Sequence, residues 1–145
     1  MGLSQTHGAR RCVDHFVQGA LAFDFDNDGF DDLFIANYGV GMERGDKKKS
    51  VMMSNQKGKG FVKMEIDSLP IGDYTSATAC DVNKDGFTDL YITNYVITMG
   101  EKEIDSLSGI IGYDGICLEN RLLINVNGER FVERGKSYGV DDIGC

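Results

Sequence analysis

The chain has 145 residues, 41% of them hydrophobic, which suffices for one modest core. Its formal net charge of −8 would repel a phosphate backbone and argues against a general nucleic-acid role. No apolar run approaches the roughly 20 residues that cross a bilayer, so no membrane insertion is expected, and the opening MGLSQTHGARR lacks the apolar stretch of a secretory signal.

With 19 glycines, one proline and no long apolar stretch of 3.6-residue period, the chain reads as short strands joined by tight turns. Residues 1–18 form a lead-in connection. Residues 19–66 form a first unit with strands at about Ala20 to Phe23, Asp32 to Asn37, Ser50 to Ser54 and Phe61 to Glu65. Residues 67–138 form a second, with strands at about Ser76 to Cys80, Asp89 to Asn94, Arg121 to Val126 and Phe131 to Arg134, and a longer loop over 95–120. Residues 139–145 read as the start of a further unit.

The two units are copies. An offset of 57 lays GALAFDFDNDGFDDLFIANY over SATACDVNKDGFTDLYITNY, matching DGF, DL and NY. An offset of 70 lays VMMSNQKGKGFVKM over RLLINVNGERFVER, matching Asn55 with Asn125 and Phe61 with Phe131. Lys57-Gly58-Lys59-Gly60 and Asn127-Gly128 supply turn residues that tolerate positive φ between the third and fourth strands. A repeat of four antiparallel strands has the outline of a propeller blade. The expected fold class is therefore all-β, with two four-stranded antiparallel β-propeller blades plus the start of a third, as a segment of a larger propeller or assembly.

The first and second strands of each unit are joined by an acidic loop. Oxygen-bearing side chains fall at loop positions 1, 3, 5 and 9: Asp24, Asp26, Asp28 and Asp32, then Asp81, Asn83, Asp85 and Asp89. Alternate positions of a tight loop point inward together, which suits a hard cation needing six or more oxygens. Gly29 and Gly86 at position 6 allow the turn that returns the ninth residue, and Phe30 and Phe87 at position 7 can offer only a carbonyl oxygen. Two Ca²⁺ ions are the expected cofactor, and they would bring the charge from −8 to −4. An EF-hand would need a bidentate Glu at position 12, where Ile35 and Ile92 stand in strand-like stretches. Asp31, at position 8, reads as a solvated charge.

These residues resemble the FG-GAP or VCBS repeats of the β-propellers in integrin α subunits and many bacterial surface proteins. The resemblance runs through GALAFDFDNDGFDDLFIANYG, TSATACDVNKDGFTDLYITNY and RLLINVNGERFVERGKSYGV, and the second unit is most similar to repeats of proteins carrying the ASPIC/UnbV domain. It implies a seven-bladed propeller with a mainly structural Ca²⁺ in the first hairpin of a blade. It also implies an extracellular or cell-surface setting, a structural or adhesive role, and a protein or glycan ligand or neighbouring blades or copies as partners. The alternatives are a lectin-type propeller, an accessory domain of a larger enzyme and a building block of an extracellular fibre.

Propeller topology puts the loop after the second strand and the connection after the fourth on one face, which pairs Cys117 with Cys145 in a disulfide and leaves Cys12 to a blade outside this segment. Cys80, aligned with Phe23, reads as a small buried apolar residue. Phe61, Phe131, Tyr38 and Tyr95 read as core packing, and Arg44-Gly45-Asp46 as a solvated loop with an adhesive reading beside it. His7 and His15 have no nucleophile setting nearby and the carboxylate spacing is explained by the metal, so no catalysis is expected.

Overall fold

The structure, a computed structural model, describes residues 17–37, 49–94 and 119–142. These residues form eight strands: β1 Val17–Phe23, β2 Asp32–Asn37, β3 Val51–Asn55, β4 Phe61–Met64, β5 Tyr74–Cys80, β6 Asp89–Asn94, β7 Arg121–Val126 and β8 Arg130–Glu133. One short helix follows, α1 Gly135–Tyr138. The strands make two four-stranded antiparallel sheets, sheet 1 in the order β1-β2-β3-β4 and sheet 2 in the order β5-β6-β7-β8.

The two sheets share one register. Phe23 pairs with Asp32 as Cys80 pairs with Asp89, and Asn55 pairs with Phe61 as Asn125 pairs with Phe131. The turns after β3 and β7 take the positive φ their residues invite, 56° and 74° at Lys57 and Gly58, 56° and 70° at Asn127 and Gly128. β1 and β5 both begin earlier than the apolar pattern indicates, because a bulge at Val17/Gly19 and at Tyr74/Ser76 carries pairing past the point where alternation stops. α1 ends at Gly139, whose φ of 67° closes it, and residues 139–142 turn back so that the Asn120 N–H donates to the Asp142 carbonyl at 3.1 Å.

The core includes Phe23, Phe25, Phe34, Leu90, Ile92 and Phe131, drawn from both sheets. β1 and β2 face β5, so closely that a Cβ on Gly19 would stand 3.0 Å from the Thr75 carbonyl oxygen. Each sheet offers a different side to the other. From sheet 1 the buried set is Phe34 and Ala36, with Leu33 and Ile35 half-buried on the reverse. From sheet 2 the buried set is Leu90 and Ile92, the equivalents of Leu33 and Ile35, while Tyr91 and Thr93 lie half-buried on the reverse.

This asymmetry corrects two sequence expectations. Cys80 is exposed and unpaired, not a buried apolar residue, because Ala77 and Ala79 are the β5 side chains that pack on the core while Ser76, Thr78 and Cys80 point away from sheet 1. Phe61 is exposed, whereas its counterpart Phe131 is buried against sheet 1. Cys12, Cys117 and Cys145 with their pairing, Arg44-Gly45-Asp46, His7, His15, Tyr38 and Tyr95 lie outside the described residues. Among the described residues no helix is long and apolar enough to cross a membrane.

Tyr74 closes the core at the start of β5. It is fully buried, and its hydroxyl donates to the Pro70 carbonyl at 3.1 Å. Burial pushes its phenol up to about 12, with the Arg121 guanidinium pulling the other way. A raised folded-state value means that the neutral phenol's contribution is intact below the unfolded value near 10 and is lost as pH rises through about 12. Denaturant melts at pH 8 and 11 will therefore show a larger alkaline loss of stability for the wild type than for Tyr74→Phe; equal losses would contradict this placement of the phenol.

Candidate metal centres

Each acidic loop is organised by its own backbone. In the first, the Asp28 N–H is shared between Asp24 Oδ1 and Asp26 Oδ1, both at 3.2 Å. Asp24 Oδ2 accepts the Gly29 N–H at 2.9 Å, and Asp28 Oδ1 accepts the Phe30 N–H at 3.0 Å. The second loop repeats every bond. The Asp85 N–H reaches Asp81 Oδ1 at 3.2 Å and Asn83 Oδ1 at 3.0 Å, Gly86 donates to Asp81 Oδ2 at 2.9 Å, and Phe87 donates to Asp85 Oδ1 at 2.9 Å. The bonds require positive φ at positions 4 and 6: 59° and 88° at Asn27 and Gly29, 63° and 91° at Lys84 and Gly86. The requirement at Gly29 and Gly86 is legible in the sequence. At Asn27 and Lys84 it is not.

The result is convergence. Asp24, Asp26 and Asp28 each bring one carboxylate oxygen within 4.8 Å of the others. Oxygens bound to one hard cation at about 2.3 to 2.6 Å lie no farther apart than about twice that distance, so the triad could hold one metal ion. In the second loop an amide replaces the middle carboxylate, and Asn83 Nδ2 donates to Asp85 Oδ2 at 2.8 Å.

The ninth residue of each loop has a further role. Asp32 and Asp89 are almost fully buried. Asp32 accepts the Phe25 N–H at 2.9 Å on one oxygen and the Asn55 N–H at 2.7 Å on the other. Asp89 accepts the Val82 N–H at 2.9 Å and the Asn125 N–H at 2.8 Å in the same way. A carboxylate has about four acceptor directions, so these bonds leave some of them open, but neither Asp32 nor Asp89 belongs to the group of carboxylates that converges within 4.8 Å. Burial raises the Asp32 carboxyl above the ordinary carboxylate value, the Asn55 and Phe25 N–H groups oppose the rise, and the charges of Asp26 and Asp24 add to it. Asp24, Asp26 and Asp32 thus share one electrostatic neighbourhood. Asp31 is exposed at position 8, as its spacing indicates.

Two pairs of asparagines complete the framework, and no role was assigned to them from the sequence although both recur in the aligned repeats. Asn55 Oδ1 accepts the Gly58 N–H at 2.8 Å and its Nδ2 donates to the Asp31 carbonyl at 2.9 Å. Asn125 repeats these bonds with Gly128 at 2.9 Å and Thr88 at 3.2 Å, and adds one across the sheets, from Nδ2 to the Phe25 carbonyl at 2.8 Å. Asn37 and Asn94 pin the opposite ends of β2 and β6 through Nδ2 bonds to the Lys49 and Glu119 carbonyls, at 2.8 and 3.3 Å.

The first loop is therefore held by sheet 2. Phe25 packs on Phe131 with ring centroids 4.9 Å apart, and Asn27 Nδ2 donates to the Gly86 carbonyl at 2.9 Å. Gly128 lies so near that a Cβ there would meet the Asp26 Cα at 2.8 Å. Because Asn125 spans two sheets and Asn55 only its own, Asn125→Ala will cost about 2 to 3 kcal/mol of unfolding free energy and Asn55→Ala about 1. Equal costs in denaturant melts would overturn the bridging role.

Comparison with known families matches residues 24–92 to the FG-GAP-like repeat. No curated protein and no solved structure matches the chain.

Proposed function

We propose, taking as premise the FG-GAP-like repeat that residues 24–92 form, that this chain is a Ca²⁺-stapled β-propeller-type module with a structural or adhesive role outside the cell. The convergence of Asp24, Asp26 and Asp28 carries the calcium reading. The ligand set of site one is Asp24, Asp26, Asp28, the Phe30 carbonyl and Asp32; that of site two is Asp81, Asn83, Asp85, the Phe87 carbonyl and Asp89. The ion supplies the counter-charge that three or four neighbouring carboxylates lack, and so holds each first hairpin closed.

The reading is non-catalytic. In each loop, carboxylates accept backbone N–H groups of their own hairpin. Such bonds fix the carboxylates as scaffold, and a module of this kind works by presenting surface. The repeat family and the oxygen-only donor set together favour an extracellular or cell-surface location, where millimolar Ca²⁺ keeps weak sites filled.

Site one has four carboxylates and site two has three plus an amide, so calorimetric titration with CaCl₂ will give two sites with the tighter one in the first loop. Asp26→Asn will weaken that site by about tenfold, or ~1.4 kcal/mol, toward the affinity of the second. Chelation will lower the melting temperature by several degrees, since saturation at 100-fold excess over Kd contributes about 2.7 kcal/mol per site. An unchanged melting temperature in chelator would sink the structural role of the ion.

A further inference from the structure

The contact between the sheets joins unlike sides, and the repeat fixes what each outward side corresponds to. Leu90, Ile92, Leu123 and Phe131, buried against sheet 1, correspond to Leu33, Ile35, Met53 and Phe61 on the outward side of sheet 1. That outward side is the same surface chemically, yet Phe61 is 46% exposed where Phe131 is 6%. On the other partner, Phe23, Phe25, Phe34 and Ala36 correspond to Cys80, Val82, Tyr91 and Thr93 on the outward side of sheet 2. Val82 is 39% exposed where Phe25 is 3%. Leu33, Ile35, Met53, Tyr91 and Thr93 are half-buried and Leu122, the equivalent of Met52, is buried, so each copy of the chain carries both halves of its own internal interface a second time, exposed chiefly at Phe61, Cys80 and Val82.

The polar contacts follow the same correspondence. Asn125 Nδ2 reaches both the Thr88 carbonyl of its own sheet and the Phe25 carbonyl of the other. Asn55 Nδ2 reaches the own-sheet equivalent, the Asp31 carbonyl, and Asn55 is only half-buried. Gly128 receives the first acidic loop at Asp26, and its equivalent Gly58 is exposed, with Phe30 beside it as Phe87 is beside Gly128.

Charge selects the occupant. The turn that meets the first loop inside the chain is Asn127-Gly128-Glu129, neutral or acidic, whereas the outward turn of sheet 1 is Lys57-Gly58-Lys59, with both lysines exposed. The second loop, with Asp81 and Asp85 exposed, is the surface that the correspondence brings onto those lysines.

We propose that the outward side of sheet 1 docks the outward side of sheet 2 of a second copy of this chain, placing Val82 over Phe61 and the second acidic loop over Lys57 and Lys59. The proposal rests on the propeller-type reading of the repeat. The contact is heterologous, so it propagates from copy to copy and closes when enough sheets are present. At the four to eight blades of known propellers, closure takes about two to four copies. Cys80, Val82 and Thr93 are smaller or more polar than the residues they stand in for, which makes the contact between copies weaker than the one within a chain, and reversible with concentration.

Sedimentation equilibrium of the full chain over a concentration series in Ca²⁺ tests this. The wild type will approach a small multiple of 15.9 kDa. Phe61→Asp and Val82→Asp, each destroying one side, will sediment as single chains with wild-type circular dichroism. Mixed together they will form a one-to-one dimer, because each retains the side the other needs; an interface joining like sides could not give that result. Lys57→Glu with Lys59→Glu will weaken association of the wild type by at least tenfold. A wild type that stays a single chain at the highest concentration overturns the proposal, as does a folded Phe61→Asp variant that keeps wild-type mass or a mixture that stays monomeric. Calcium titration of Phe61→Asp, which alters no proposed ligand, separates failure of assembly from failure of metal binding.

Discussion

The buried carboxylate at the head of each second strand is the constraint on which both sheets depend. Asp32 and Asp89 each take one N–H from the start of the acidic loop and one from the end of the third strand. One side chain thereby fixes the exit of the first hairpin and the end of the second. Burial without those N–H groups would be costly for a carboxylate. With them, it becomes the point where loop, β2 and β3 share one geometry, and the same holds for loop, β6 and β7. The loop is then not free to choose its shape, and the other acidic side chains inherit theirs from it.

Repetition does not make the two sheets equivalent. The β2 and β6 sequences DLFIAN and DLYITN have the same pleat, but the buried set is Phe34 and Ala36 in one and Leu90 and Ile92 in the other. The two units therefore meet through unlike sides, the pattern that an array of repeats stacked in one direction would show. Stability in such arrays is shared between units and the contacts between them. Here the contact includes Phe25 against Phe131 and the Asn125 bond to the Phe25 carbonyl, so the first acidic loop is buttressed by the third and fourth strands of sheet 2, whereas among the described residues the second meets sheet 1 through the Asn27 bond to the Gly86 carbonyl. Phe25 is buried while Val82 at the same loop position is exposed, in keeping with that difference.

Much of this was legible in the sequence, because it is written in local chemistry. The strands, the turns at Gly58 and Gly128 and the positive φ at Gly29 and Gly86 follow from alternation and from residues that tolerate φ above zero. The convergence of Asp24, Asp26 and Asp28 follows from alternate spacing in a tight loop. What could not be read were properties set by the neighbouring sheet. Cys80 and Phe61 match residues that are buried, and both are exposed, because burial depends on which side of its sheet a residue occupies and on what covers that side. The roles of Asn55 and Asn125 were hidden for a related reason. Their recurrence was visible, but an amide bonding to carbonyls 24 and 100 residues away leaves no periodic trace.

The organisation of the loops by their own N–H groups bears on how an ion would be held. Positions 1, 3 and 5 are already tied to backbone donors, so an arriving cation finds its oxygens assembled and does not have to order the chain. The assembled carboxylates nonetheless repel one another: the Asp32 carboxyl is raised first by burial, against the Asn55 and Phe25 N–H groups, and the charges of Asp26 and Asp24 add to the rise. Preorganisation and repulsion therefore reinforce one another in favouring the ion: the first lowers the cost of binding and the second raises the gain. Four carboxylates in the first loop make both effects larger there than in the second, where Asn83 already relieves part of the repulsion by donating to Asp85. The loop with most to gain from an ion is thus also the one clamped between the two sheets. Neutralising it would tighten the hairpin and the contact between sheets together, because Asp26 and Phe25 belong to both.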